Sequence, residues 1–254
     1  MENSTVSIKD RINCIQEKIE NACQKSGRKT EDVKLLAVSK FHSAQEIEQA
    51  YLYGLKSFGE NRVQEACEKF PSLLEKYADM HLHLIGSLQR NKVKQIVPYV
   101  SCIQSVDRLE LVQEIQKRLD SNSLAIENSS INIPSSPLEI LFEYHTGEES
   151  KSGYTTKDDV FKSLDFILDL QNSKGTQIVP KGFMTMAPFT DDEKAIHKSF
   201  QTLRELKDET QKRYPMFDFS CLSMGMSNDF EIAIEEGSNM VRIGTAIFGE
   251  RQYK

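Results

Sequence analysis

Lys40 has the clearest chemical potential in this sequence, because it follows an apolar run of strand length, residues 33–38, after a single serine. An amine at the end of a buried strand loses part of its hydration, which lowers its pKa and lets it attack a carbonyl such as an aldehyde. Most lysines are exposed, so the position alone favours an ordinary lysine that opens a loop. A covalent role for Lys40 therefore depends on the residues that accompany it.

Two segments near the other end of the chain have the composition of phosphate-binding loops. Residues 223–229 and 242–245 each place small and hydroxyl side chains at the end of an apolar run. Glycine permits close backbone approach to an anion, while Ser227 and Thr245 add hydroxyl donors. Ordinary turn and cap residues explain either loop alone equally well. Two such loops after the last two strands of one sheet predict a phosphate site.

Arg242 interrupts the apolar run 240–243. Successive side chains alternate along a strand, so the guanidinium is expected to point to the inside of the sheet. A buried charge needs a partner. Glu60 is one candidate, and the ring nitrogen of a bound cofactor is the other. A permanent cation beside that nitrogen would disfavour its protonation and weaken the ring as an electron sink.

Eight apolar runs of strand length alternate with helix-length segments. The predicted strands are residues 33–38, 57–59, 81–86, 102–105, 139–144, 182–185, 219–223 and 241–243. Regular alternation implies parallel strands with right-handed crossovers, and eight such units in 254 residues match the size of a closed barrel. We therefore expect an α/β fold, a single (β/α)8 TIM barrel over residues 1–254. An open doubly wound sheet is the alternative.

Two further elements are expected around these strands. An extra N-terminal helix is indicated by apolar residues at helical spacing, namely Ile8, Ile12, Ile15, Ile19 and Cys23. Residues 121–137 are rich in Ser, Asn and Pro and predict an extended loop between the fourth helix and the fifth strand. In a barrel the functional groups gather where strands end, which places Lys40 and both candidate phosphate loops at one face.

Composition excludes several function classes. A net charge of -6 argues against a sequence-independent hold on nucleic acid, and no apolar run reaches the length of a membrane span. Five scattered cysteines without a C-x-x-C pair predict neither a disulfide framework nor a zinc site. His81 and His83 share a strand face, but no third ligand accompanies them, so no metal is predicted. A cytoplasmic protein is expected.

Taken together, these segments resemble the pyridoxal phosphate homeostasis proteins, which are related in fold to the N-terminal domain of bacterial-type alanine racemase. The resemblance runs nearly end to end and is carried by residues 36–40, 58–65, 83–92, 150–153, 182–187, 222–227 and 241–249. The sequence departs from the family pattern at residues 142–144, where Phe-Glu-Tyr replaces a triplet like Gln-Val-Asn. That departure affects the expected polar lining near the fifth strand.

The resemblance implies a set of cofactor-binding residues. It implies that pyridoxal 5′-phosphate (PLP) is held as a Schiff base on Lys40, with Arg242 beside the pyridine nitrogen. The other implied contacts are Asn61 and Ile85 at the ring, and Ser227, Gly244, Thr245 and the Met226 backbone at the phosphate. It assigns no catalytic residue and no metal ligand.

The resemblance also implies a function in intracellular PLP homeostasis without established turnover. Racemase chemistry uses a second acid/base from an additional domain, for which this sequence, ending at Lys254, has no room. Two alternatives stay open: a PLP-dependent, racemase-like enzyme acting on a small amino acid, with Tyr144 or His83 helping Lys40, and an interaction protein. The expected partners are PLP and PLP-dependent apo-enzymes, with neither nucleic acid nor membrane. A monomer is expected in the cytoplasm, with an additional mitochondrial or nuclear pool.

Overall fold

Eight parallel strands close into a barrel in sequence order, with β8 paired to β1. This architecture comes from a computed structural model that describes residues 6–126, 137–147 and 152–249. The closing pair places Leu36 opposite Arg242 and Ala37 opposite Ile243. The predicted (β/α)8 barrel is therefore confirmed, and the open-sheet alternative is wrong.

All eight predicted strands are present. They are β1 Lys34–Val38, β2 Ser57–Glu60, β3 His81–Leu84, β4 Cys102–Val106, β5 Leu138–Glu143, β6 Ile178–Met184, β7 Cys221–Ser223 and β8 Met240–Ile243. The largest boundary error is at β6, which begins at Ile178 and not at residue 182. Pro180 and Lys181 interrupt the apolar pattern there, yet the backbone continues to pair with β5.

Helices connect the strands and surround the barrel. They are α1 Ile8–Lys25, α2 Ala44–Leu52, α3 Val63–Lys76, α4 Val93–Ile96, α5 Leu109–Ile126, α6 Lys157–Ser173, α7 Glu193–Arg213, α8 Phe230–Glu235 and α9 Thr245–Phe248. The predicted N-terminal helix is α1, which begins after Ser7, whose side chain accepts from the Asp10 N–H at 3.2 Å. It packs against α8 and α9. In the part of the chain that the structure describes, no helix is both long and apolar enough to cross a bilayer.

One prediction about the connections is wrong in part. The segment 121–137 was expected to be a loop, but residues 121–126 form the last turns of α5. A single Ser or Asn in a helix costs less than about 1 kcal/mol, so a helix already formed from Leu109 propagates through them. Residues 127–136 of the predicted loop lie outside the described residues.

The strands separate two environments. On β5, Phe142 belongs to the main apolar core between barrel and helices, whereas Leu141 packs with Cys102 and Met184 in a separate small cluster. Since neighbouring side chains alternate, the second cluster occupies the barrel interior. That interior also contains buried polar side chains, among them Gln104 and Arg242. The carboxyl ends of the strands therefore border a partly polar interior.

Candidate functional site

The residues predicted to bind a cofactor lie on five neighbouring strand ends. Lys40 follows β1, Asn61 follows β2 and Ile85 follows β3. The remaining members are Met226 and Ser227 after β7, Arg242 within β8, and Gly244 and Thr245 after β8. Because β8 pairs with β1, the strand order β7-β8-β1-β2-β3 is continuous. The structure thus brings these residues to one side of the carboxyl-terminal rim, and their roles toward a cofactor stay predictions.

Glycines let these strand ends approach closely. A Cβ on Gly244 would lie 3.1 Å from the Val38 carbonyl oxygen, so β8 meets β1 just before the turn of residues 39–42 that contains Lys40. On the other side of that turn, a Cβ on Gly86 would collide with the Asn61 backbone carbonyl. The backbones of neighbouring strand ends therefore lie close together at these two places, with little room for a side chain at either glycine.

Arg242 is the central charge of this rim and is 5% exposed. Its Nη1 donates to the Ser223 carbonyl at 2.6 Å and to Ser223 Oγ at 2.9 Å, while Nη2 donates to the Thr185 carbonyl at 2.7 Å. Burial lowers the pKa of Arg242 to about 10, so the side chain stays charged at pH 7. The suggested ion pair with Glu60 is wrong, since Glu60 pairs with Lys69 at 2.8 Å and neighbouring carbonyls solvate Arg242.

A chain of hydrogen bonds extends from Arg242 across the barrel interior. Ser223 Oγ donates to Gln104 Oε1 at 2.6 Å, and Gln104 Nε2 lies 2.9 Å from His83 Nδ1. Burial lowers the pKa of His83 to about 3, which keeps the ring neutral and lets Nδ1 accept from the amide. Sequence reasoning missed Gln104, because a single glutamine in an apolar strand has no local pattern that marks it.

The turn that contains Lys40 is a second ordered feature. Lys40 is partly buried, and Phe41 next to it has a positive φ of 70°. The Ser39 N–H donates to the Gly59 carbonyl at 3.0 Å, and Ser39 Oγ donates to Glu60 Oε1 at 2.7 Å. The backbone on which Lys40 stands is therefore tied to β2.

The loop after β7 is compact. Gly225 has a φ of 96°, and a Cβ there would lie 2.6 Å from the Ala233 Cβ on α8. The Met226 N–H, which was expected to face a phosphate, donates to Asp229 Oδ1 at 2.5 Å. An anion can use this N–H only by displacing or sharing with that carboxylate. Ser227 is partly buried and Thr245 is exposed at the start of α9, so neither is enclosed in the core.

The opposite side of the rim carries the departure from the family pattern. Phe142 lies in the main core, whereas the buried Glu143 accepts from Ser152 Oγ at 2.9 Å. Burial raises the pKa of Glu143. Beside it, His145 Nε2 is buried and has no hydrogen-bond partner among the described residues. A recess with room for about one water lies between Glu143, His145 and Thr185.

Two sequence features resemble ligand sites without predicting one. His81 is exposed and His83 is buried, and the described ranges contain no group of three His, Cys, Asp or Glu side chains that could hold a metal. Residues 147–153 resemble a phosphate loop only superficially by sequence, and 148–151 lie outside the described residues. The same gap includes part of the resembling segment 150–153.

Comparisons with known proteins find similarity along nearly the whole chain. The family model "alanine racemase, N-terminal domain" matches residues 12–252. A pyridoxal phosphate homeostasis protein from Aquifex aeolicus is 39% identical over 244 residues, which are 96% of this chain and 98% of that protein. The solved structure of PipY from Synechococcus elongatus with PLP bound is 28% identical, with a TM-score of 0.77 over 96% of this chain and 100% of that one.

A more distant likeness concerns the fold alone. Alanine racemase from Clostridium difficile is 15% identical, with a TM-score of 0.65 over 94% of this chain. The match covers 57% of the racemase chain. The barrel fold is therefore shared with racemases, and the rest of the racemase chain lies outside the match.

Proposed function

Because the chain belongs to the alanine racemase N-terminal domain family, and within it to the pyridoxal phosphate homeostasis proteins, we propose that it binds PLP and serves its intracellular homeostasis. The observation that carries the proposal is the rim itself. Lys40 follows β1, between β2 and β8 in the strand order, and the same rim carries the buried Arg242 and two glycine-containing loops. A relative of the same fold, PipY, has a structure with PLP bound.

The residues present fit the proposed cofactor. Asn61 Oδ1 is buried without a partner among the described residues, a polar atom that a ring hydroxyl can satisfy. Phosphate sites in such barrels often use the loops after the seventh and eighth strands with a short extra helix, the places of Gly225, Gly244 and α9 here. Ser227 and Thr245 would donate to the phosphate there, and Ile85 would contact the ring.

Bound PLP supplies an aldehyde that can form a Schiff base with the Lys40 amine. Arg242 would face the pyridine nitrogen as a cation that keeps its proton at pH 7, since its pKa is about 10. A donor that keeps its proton leaves the ring nitrogen unprotonated, which weakens the stabilisation of negative charge on a substrate carbon. The residues of this rim therefore support holding the cofactor more than carbanion chemistry.

We accordingly propose that the protein is not an enzyme. His83 is unsuited as a helper, because its pKa of about 3 keeps it neutral and its Nδ1 already accepts from Gln104. A second candidate, a PLP-dependent, racemase-like enzyme for a small amino acid, is favoured by one observation: Glu143 is a buried carboxyl with a raised pKa on the same rim. Amino-acid racemisation that is lost in Glu143→Gln would support that alternative.

We extend the proposal to partners and location on the strength of the resemblance. PLP-dependent apo-enzymes would receive the cofactor from a monomeric protein in the cytoplasm, with an additional mitochondrial or nuclear pool. Residues 1–254 would act as one domain. Gel filtration and the activation of an apo-enzyme by the PLP-loaded protein check the two biochemical parts.

The decisive experiment is borohydride trapping with mass mapping, after incubation with PLP. We expect a visible absorbance band in the wild type, a reduced adduct on Lys40, and neither in Lys40→Ala. Lys34→Ala is the matched control, since Lys34 begins the same strand at the opposite end of the barrel. A wild-type protein that takes up no PLP, or an adduct on another lysine, contradicts the proposal.

A further inference from the structure

The backbone next to Lys40 is in an unfavourable conformation. Phe41 has a φ of 70°, the left-handed region that a bulky residue rarely adopts. Such a conformation is energetically unfavourable and persists only where surrounding contacts impose it. The turn of residues 39–42, called here the Lys40 turn, therefore needs partners outside itself.

Lys69 on α3 is the partner that contacts both ends of this turn. Its side chain is 14% exposed. The Nζ donates to the carbonyl oxygens of both ends of the turn, Ser39 at 3.2 Å and His42 at 3.1 Å. The same ammonium pairs with Glu60 at 2.8 Å and Glu65 at 3.1 Å. One cation thus joins both ends of the Lys40 turn to two carboxylates.

Glu65 completes the arrangement from the same helix face, one helical turn before Lys69. Its Oε2 accepts from the Phe41 N–H at 2.9 Å, so the residue with positive φ is held directly. Burial raises the pKa of Glu65, but the Phe41 N–H and the Lys69 ammonium outweigh burial and lower it. The carboxylate is therefore ionised at neutral pH and a strong acceptor for this N–H.

We propose that Glu65 and Lys69 are positioning residues, which hold the Lys40 turn so that the Lys40 amine is presented to the cofactor. The proposal rests on the proposed PLP function. Neither residue belongs to the predicted cofactor-binding set. Their contacts end on the backbone of Ser39, Phe41 and His42, the three neighbours of Lys40 in the turn.

The test compares substitutions at Glu65, because Lys69→Met would leave Glu60 buried without its cation and is expected to destabilise the whole fold. Glu65→Ala removes the acceptor for the Phe41 N–H. Glu65→Gln keeps a carbonyl oxygen in place, and Glu68→Ala is the control, an exposed glutamate on α3. Amide hydrogen exchange of residues 39–42 is measured in the cofactor-free proteins, and PLP uptake is followed by absorbance.

We expect Glu65→Ala to speed exchange at the Phe41 amide and to slow PLP uptake about tenfold, the size of one charge-assisted hydrogen bond. Glu65→Gln should recover most of both effects, and Glu68→Ala should match the wild type. Faster exchange with unchanged PLP uptake, or unchanged exchange, overturns the proposal while the PLP function stands. If the wild-type protein takes up no PLP, the proposed PLP function is itself contradicted.

Discussion

At the scale of single residues, the geometry of Arg242 explains why an arginine is accommodated inside the barrel. Its planar fork reaches the Ser223 carbonyl on β7 and the Thr185 carbonyl just after β6 at the same time. Two carbonyls and a hydroxyl replace the water that burial removes, and the carboxylates of Asp229 and Glu143 also favour the charged form. Lysine carries the same charge but lacks the fork.

Arg242→Lys should therefore destabilise the protein by about 1–3 kcal/mol, because one buried carbonyl loses its donor. Urea unfolding followed by circular dichroism measures the change. Arg204→Lys is the control: Arg204 donates to Glu236 from a side chain that is 39% exposed, and a pair of that kind is worth about 0–1 kcal/mol. An equal decrease in the free energy of unfolding in the two variants would contradict this account of Arg242.

At the scale of elements, the contact of β6 with β7 depends on one glycine. Gly182 pairs with Cys221 at a φ of 146°, and a Cβ on Gly182 would collide with the Cys221 carbonyl. This contact lies just before Thr185 and Ser223, the residues that bind the guanidinium. Strand spacing here therefore sets the position of a charged side chain at the rim.

Gly182→Ala is expected to lower the free energy of unfolding by about 2–5 kcal/mol, because the cost of a positive φ at alanine adds to the cost of the collision between its Cβ and the Cys221 carbonyl. Gly175→Ala is the matched comparison, because Gly175 also has a positive φ of 81° but nothing within 4 Å of its Cβ position. It should cost only the backbone strain, about 1–2 kcal/mol. Thermal and urea unfolding of both variants measure the difference, and a Gly182→Ala protein as stable as Gly175→Ala would refute the collision.

At the scale of the whole molecule, an apolar layer between strands and helices surrounds a barrel interior with a polar chain. His83 is the titratable end of that chain. Its pKa of about 3 lies below the value of about 6.5 expected in the unfolded chain. The unfolded state therefore binds a proton in this window that the folded state does not, and acidification favours unfolding.

As the pH falls from 6 to 4, the protonation of His83 in the unfolded state should lower the free energy of unfolding by about 1.4 kcal/mol per pH unit. The buried carboxyls Glu60 and Glu143 have raised pKa values and act in the opposite direction, so the wild-type curve alone is not diagnostic. The measurement is the pH dependence of urea unfolding in the wild type minus that in His83→Gln, a variant that keeps an acceptor for Gln104. A difference slope near zero would show that His83 is not held neutral.

The sequence by itself determined the order of the strands and the N-terminal helix, because apolar periodicity is set by local backbone geometry. It also identified Lys40 and Arg242 as unusual, since each is a cation at the end of or inside an apolar run. The end of α5 could not be read this way, because helix propagation overrides the weak preferences of Ser and Asn.

Only the tertiary structure decided which groups these residues contact. The pairing of β8 with β1, the carbonyls around Arg242 and the bond from Lys69 to the Lys40 turn all join residues distant in sequence. The Met226 N–H was expected to face an anion, but the loop folds so that Asp229 accepts from it. Such partners depend on how the closed barrel aligns neighbouring strand ends, and no local pattern of side chains encodes that alignment.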